Sequence, residues 1–252
     1  MTAGSSTRDA RNRASEIKFL VSPDTAARLR ERARALLSPD LHAGGPHSDE
    51  YTTTSLYFDT LPEFAVFGRR GSYRRAKYRV RRYGAGDVVF LERKLRTKEF
   101  VSKRRTTVHV EYLPFLMSPV VNESWSAAWF HHRLLARKLS AVVQVSYRRT
   151  ARVGITDHGP IRLTVDEDLK GLTIDRPHFA PLDRALPLTT SAVVEMKFCG
   201  PMPAVFKQIA EAFALVAEPV SKYRLAIQAT RPAIAERDQT ARESAAILTR
   251  QI

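Results

Sequence analysis

The 252-residue chain has a single cysteine, Cys199, so it can close no internal disulfide. That usage suits a reducing compartment. It contains no run of about 18 apolar residues, so no transmembrane helix is expected. Its N-terminus, MTAGSSTRDARNRAS, lacks the apolar stretch of a secretory signal. The expected location is therefore the cytoplasm, with attachment at the periphery of a membrane left open. The seven histidines show no metal-ligand spacing, and His131 and His132 are expected on a helix facing solvent. Internal repeats and low-complexity tracts are absent. Acidic residues are also scarce, at 26 against 41 Lys or Arg, for a net charge of +15.

A content of 44% hydrophobic residues is enough to bury a core, which excludes wholesale disorder. A charge this large implies a polyanionic partner: nucleic acid, an anionic membrane or polyphosphate. The charge is uneven. Between Arg69 and Arg105, fifteen Lys or Arg stand against Asp87, Glu92 and Glu99, so this stretch carries +12 of the +15. A solvated basic face would account for that count, and the spacing has to decide.

Residues 1–14 read as a loose polar leader and 231–252 as a polar tail, helical or frayed, around one domain over 15–230. Glu16 to Val21 reads as a short strand. Ser22-Pro23 supplies an N-cap and a proline at the first helical position, opening a helix to about Leu37. From Tyr51 the hydrophobic period drops to two, which predicts a strand over about 52–59. Strands over 74–83 and 87–96 flank Gly84-Ala85-Gly86, a hairpin connection. Further strands are expected at 103–111, 141–154, 161–168 and 192–198. Helices are expected over 114–139 and 201–217, the second with Val205, Ile209, Phe213 and Val216 on one face. The fold class is α+β, with about eight antiparallel strands.

The alternation within these strands is unusual. Lys77, Arg79 and Arg81 share one face, and Tyr78 and Val80 take the other. Glu16 with Lys18, Glu92 with Lys94, and Glu195 with Lys197 repeat an acid-x-base pattern on three strands. An open sheet with one wet face explains each strand singly. A closed antiparallel β-tunnel, helices packed outside and charges converging on the lumen, explains why the pattern recurs. Crowded cations repel one another until a polyanion neutralises them, and Lys and Arg donate charge-assisted hydrogen bonds to phosphate. A carboxylate beside phosphate calls for a hard divalent cation between them, Mg²⁺ or Mn²⁺.

The ordered segments E-I-K-F, T-S-L-Y-F-D-T, K-Y-R-V-R-R-Y-G, F-L-E-R-K, V-S-K-R-R, Y-R-R-T-A, R-L-T-V-D-E-D-L, V-V-E-M-K-F and S-K-Y-R run through about 13–228. In this the chain resembles the catalytic domain of the vacuolar transporter chaperone (VTC) polyphosphate polymerases, in the triphosphate tunnel metalloenzyme group that also holds the CYTH phosphatases. The resemblance implies transfer of the ATP γ-phosphoryl group to a growing polyphosphate chain inside a metal-containing tunnel. It implies catalytic roles for Arg79, Arg81, Lys94, Lys103 and Arg149. Lys18, Lys77, Arg105, Lys197 and Lys222 are the expected substrate-binding residues, and Glu195 the metal ligand. Glu16 is open between metal ligand and ion-pair partner, and Asp166 between metal ligand and turn cap.

Two departures stand out. The tunnel enzymes at large begin with E-x-E-x-K, and Ala14 takes the place of the first acid. That favours the VTC branch and removes one candidate metal ligand. The SPX regulatory domain and transmembrane helices of the eukaryotic VTC subunits do not accompany these motifs, so control by inositol phosphates and export are not carried over.

The expected partners are ATP and inorganic polyphosphate, with oligomeric state undetermined. Two other functions compete. The same tunnel could hydrolyse tripolyphosphate or a nucleoside triphosphate. A non-catalytic polyphosphate- or nucleic-acid-binding module is the second rival. For nucleic acid, Tyr73, Tyr78 and Tyr83 interleave with the basic residues, but the spaced acids disfavour it. Trp125 and Trp129 are expected to pack a helix, and Cys199 to fill space.

Overall fold

The computed structural model describes residues 7–8, 14–40, 43, 49–96 and 101–250. Eight long strands form: β2 (Ala14–Val21), β4 (Glu50–Thr60), β5 (Ala76–Tyr83), β6 (Val88–Arg96), β7 (Val101–His109), β8 (Leu139–Thr156), β9 (Gly159–Thr173) and β11 (Ala192–Cys199). Three two-residue strands complete the sheet: β1 (Thr7–Arg8), β3 (Ser38–Pro39) and β10 (Leu186–Pro187). The helices are α1 (Pro23–Leu36), α2 (Ala128–Ala136), α3 (Ala204–Ala212), α4 (Lys222–Thr230) and α5 (Pro232–Arg250). None of the described helices is long and apolar enough to cross a membrane.

All strands join one antiparallel sheet in the order β1-β7-β6-β5-β4-β8-β9-β11-β2, with β10 on β9 and β3 on β8. Short connections dictate much of this, since hairpins can only be antiparallel. Gly84, at φ 59°, lets the chain turn between β5 and β6 where a residue with a Cβ would be strained. The ladder is open. Its ends, β1 and β2, do not pair with one another among the described residues, so backbone pairing does not make the expected closed tunnel. Beyond β7 the described part of the sheet is the two residues of β1.

The alternation sends apolar side chains to the helix-covered face. Phe19, Leu163, Val165, Val194, Met196 and Phe198 pack with Ala26, Leu29 and Ala33 of α1 and with Phe206 and Ile209 of α3. Tyr78, Val80, Val89 and Leu91 pack with Phe130 and Leu134 of α2 and with Tyr223, Ala226 and Ile227 of α4. Full burial of each such side chain stabilises the fold by about 1.5–3 kcal/mol. Helix α1 begins where the sequence says it should: Pro23 opens it, and Ser22 Oγ accepts from the Thr25 N–H at 3.2 Å. The register of β4 on β8 shifts at Tyr57/Phe58, and that of β8 on β9 between Ser146 and Arg148.

Several expected elements are corrected. Residues 114–139 do not form one helix: a 3₁₀ turn spans Val110–Met117, and α2 starts only at Ala128. Pro114 and Pro119 lack the amide protons that a continuous helix would use. The expected helix 201–217 is held to Ala204–Ala212, and Val216 is exposed. Within the leader, Thr7 and Arg8 pair with Arg105 and Arg104, while 1–6 and 9–13 lie outside the described residues. Helix α4 follows over Lys222–Thr230, and the tail is helix α5 as far as Arg250. His131 does not face solvent. It is buried, with Nε2 at 2.9 Å from the Ser118 carbonyl, while His132 is exposed. Trp125 and Trp129 pack on the core, and Trp129 Nε1 donates to Thr106 Oγ1 at 2.7 Å.

Candidate functional site

The charged faces of β2, β5, β6, β7 and β11 line one cavity of about 320 Å³, joined by residues of β4, β8, β9 and the start of α4. Every Lys and Arg expected at the site is in its lining: Lys18, Lys77, Arg79, Arg81, Lys94, Lys103, Arg105, Arg149, Lys197 and Lys222. Glu16 and Glu195 line it too. Asp166 does not; it lies behind the lining, fully buried. The period of two explains the convergence on each strand, and the cross-strand register explains it between strands. Lys77 faces Lys94, which faces Lys103; Arg79 faces Glu92, which faces Arg105.

Around Glu195, Asp166 and Glu92 the charges are matched. Glu195 Oε1 accepts from Lys18 Nζ at 3.1 Å and Lys222 Nζ at 3.0 Å, and Oε2 lies 3.2 Å from Lys197 Nζ. Burial alone would push this carboxyl up, but Lys222, Lys197 and Lys18 outweigh it and hold the pKa well below the usual range. Arg149 grips Asp166 with both arms, Nε to Oδ1 at 2.6 Å and NH2 to Oδ2 at 2.7 Å. Lys222 Nζ is 2.6 Å from the same Oδ2. Asp166 is thus neither a turn cap nor a free ligand. It is the counter-ion that fixes Arg149 and Lys222, and against burial those two keep it ionised. Lys222, 7% exposed, is no surface lysine. Glu92 accepts from Arg79 Nε at 2.6 Å and Arg105 Nε at 2.9 Å, which overcomes burial and takes its pKa down to about 2.

Elsewhere in the lining, on the same β5 and β7, the cations are in excess. Among the described residues Lys77, Arg81 and Lys103 form no ion pair. Lys77 Nζ donates to Ser221 Oγ at 3.0 Å. Arg81 donates to Ser55 Oγ at 3.0 Å and to the Tyr147 hydroxyl at 3.3 Å. Burial, with Lys18 and Lys94 nearby, lowers the Lys77 pKa to about 8. Among the described residues the ion-pair partner of Lys94 is Glu16, at 3.5 Å. That contact joins β2 to β6, near opposite ends of the strand order.

Among the described residues no group of three or more His, Cys, Asp or Glu side chains could hold a metal ion by itself. Glu16 and Glu195 do share the Lys18 ammonium, at 3.0 and 3.1 Å. Burial and Glu195 push Glu16 up, but Lys197, Lys18 and Lys94 bring it to about 2, so both carboxylates are anionic at neutral pH. One or two carboxylates suffice for a Mg²⁺ whose remaining ligands are water and phosphate oxygens. The residues present therefore fit a cation that arrives with a phosphate ligand.

Among the lining groups that escaped the sequence reading are Tyr147, Tyr57 and Ser221. Tyr147 shares the face of Arg149 two residues on, a parity that was legible. Tyr57 is placed by its register opposite Arg79, and Ser221 by the docking of α4. Neither carries a local signal.

A sheet that turns lysines, arginines and a few neutralised carboxylates onto one cavity is the electrostatic complement of a polyanion. The profile of the VTC domain matches residues 13–231, and the chain belongs to that family. Comparison with the curated proteins gave no match. Among solved structures, a Bacillus halodurans protein described as a candidate adenylate cyclase shares 17% identity, with TM-score 0.48, over 82% of this chain and 92% of its own. HpAC1 from Hippeastrum, described as a candidate adenylyl cyclase with a dominant triphosphatase activity, shares 15% at TM-score 0.46, over 82% and 92%. The PH1819 protein from Pyrococcus horikoshii shares 13% at TM-score 0.47, over 85% and 98%.

Proposed function

We propose that the cavity takes the triphosphate of ATP and passes its γ-phosphoryl group to the end of an inorganic polyphosphate chain. The observation that carries this reading is the split between paired and unpaired cations in the lining. Glu195, Asp166 and Glu92 neutralise their own cations, while Lys77, Arg81 and Lys103 are left to an incoming anion. Membership of the VTC-domain family supports it. The Glu16–Lys94 contact supports a strand arrangement that wraps the ligand as a tunnel would.

Phosphoryl transfer needs positioning and charge neutralisation more than covalent chemistry. Arg79 and Arg81 sit two residues apart on β5, and Arg149 is held rigid by Asp166. The three fix the transferring group and neutralise the leaving diphosphate with Lys94 and Lys103. Lys18, Lys77, Arg105, Lys197 and Lys222 hold the rest of the chain. A terminal phosphate is already an anionic nucleophile, so no strong base is required. Glu195 and Glu16 would hold Mn²⁺ or Mg²⁺, whose charge, when bound, offsets that of the phosphate oxygens. Asp166 keeps its structural part.

The test is incubation of purified protein with ATP and Mn²⁺ or Mg²⁺, resolving chains on a gel beside the Glu195→Gln and Arg79→Ala variants. A ladder of long chains, lost in both variants, is the expected result. Losing Arg79 should remove about 2–4 kcal/mol of transition-state stabilisation, a rate loss of about 30- to 900-fold. Orthophosphate without chains would replace polymerase by hydrolase. Tight polyphosphate binding without turnover would leave a binding module.

A further inference from the structure

Asp59, near the end of β4, is fully buried and is not part of the cavity lining. Its carboxylate accepts from the Thr60 amide at 2.7 Å, from the Val66 and Phe67 amides at 2.8 Å, and from the Tyr223 hydroxyl. Three backbone donors hold the carboxylate, and the carboxylate holds the phenol. Tyr223 is gripped on two further sides. Its ring stacks on Tyr57 with centroids 5.2 Å apart, and Phe67 meets it edge-on at 6.4 Å. Tyr223 borders the cavity, but its hydroxyl donates to Asp59 rather than into the lumen. The two residues before it are cavity groups. Ser221 Oγ accepts from Lys77 Nζ at 3.0 Å, and Lys222 Nζ bridges Asp166 at 2.6 Å and Glu195 at 3.0 Å.

We infer that the hydrogen bond from Tyr223 to Asp59 positions Lys222, making Asp59 a positioning residue of the cavity that touches no ligand itself. Lys222 and Tyr223 form the first turn of α4, which Ser221 caps. Adjacent Cα atoms are fixed about 3.8 Å apart, so a displaced Tyr223 carries Lys222 with it. An ammonium shared between two carboxylates at hydrogen-bond distance tolerates little displacement. Beyond this turn, α4 is held to the core by Ala226 and Ile227. Those apolar contacts are non-directional and leave the first turn free to shift. The Asp59 hydrogen bond supplies the missing direction. Removing the phenolic oxygen keeps the ring and its stack. It leaves Asp59 with three amide donors, so no buried charge is orphaned and the protein folds.

The consequence for binding rests on the proposed triphosphate site; the consequence for Lys222 does not. The experiment therefore has two readouts on Tyr223→Phe. The first is the side-chain ¹⁵N ammonium resonance of Lys222, assigned by its loss in Lys222→Met. The second is calorimetric binding of inorganic tripolyphosphate to the wild type, Tyr223→Phe, Lys222→Met and the double variant. Lys222→Arg takes the place of Lys222→Met in both if methionine does not fold. The expected result is a shifted or broadened Lys222 resonance and binding weakened at least about threefold in Tyr223→Phe, with no further weakening when Lys222 is already replaced. An unmoved resonance, unchanged binding, or the same weakening in both backgrounds overturns the positioning role and spares the site. Failure of tripolyphosphate to bind the wild type overturns the site, and the resonance alone then upholds or overturns the positioning of Lys222.

Discussion

Replacing Lys222 by methionine tests the buried charge network directly. The ammonium is 7% exposed and bridges two carboxylates, Asp166 at 2.6 Å and Glu195 at 3.0 Å. Methionine keeps most of the volume and removes the charge. Asp166 still has Arg149, and Glu195 still has Lys18 and Lys197, so the carboxylates are weakened rather than orphaned. Breaking a buried pair costs about 3–5 kcal/mol. For a chain of this size that is a fall in Tm of roughly 6–20 °C, at about 2–4 °C per kcal/mol.

The pH dependence gives the sharper reading. Asp166 and Glu195 have folded pKa values below their unfolded ones, so their stabilisation is present above about pH 4 and lost as pH falls through the folded values. Without Lys222 those folded values rise toward the unfolded ones, and acidification costs the variant less than the wild type. The stability gap measured by urea denaturation should hold from neutrality down to about pH 4 and shrink below it. Lys222 itself, raised by Asp166 and Glu195 against burial, contributes in full below its unfolded pKa and does not alter this window. A variant within 1 kcal/mol of wild type at neutrality, or a gap that does not shrink below pH 4, would refute the network.

Two more outcomes follow from the same geometry. Lys77→Arg should extend tripolyphosphate binding to higher pH, because guanidinium keeps its charge where Lys77 releases its proton near pH 8; calorimetry at two pH values checks it. Asp59→Ala should cost about 3 kcal/mol or more, since that buried carboxylate accepts from the Val66 and Phe67 amides at 2.8 Å and from the Tyr223 hydroxyl. The amides of residues 64–68 should then lose hydrogen-exchange protection.

The local chemistry of the strands was legible from one dimension because a strand has a period of two. Lys77, Arg79 and Arg81 had to share a face, as did Glu195 and Lys197, whatever the rest of the chain did. The Ser22-Pro23 helix start was equally local. Pairing across the sheet is not. Glu92 is a lone acid in a basic stretch until β5 and β7 bring Arg79 and Arg105 to its two oxygens. Asp166 reads as a strand-end acid until β8 and α4 deliver Arg149 and Lys222 to it. Tyr57 looks like one more aromatic in a β-branched run, and only its register against Arg79 and its stack on Tyr223 make it a cavity group.

The sequence by itself thus determined the strands, their charged faces and the family. The tertiary structure alone decided which charges cancel and which are left over. Coulomb energy depends on a few ångströms between residues as far apart in the chain as Lys18 and Glu195, a separation that periodicity does not encode.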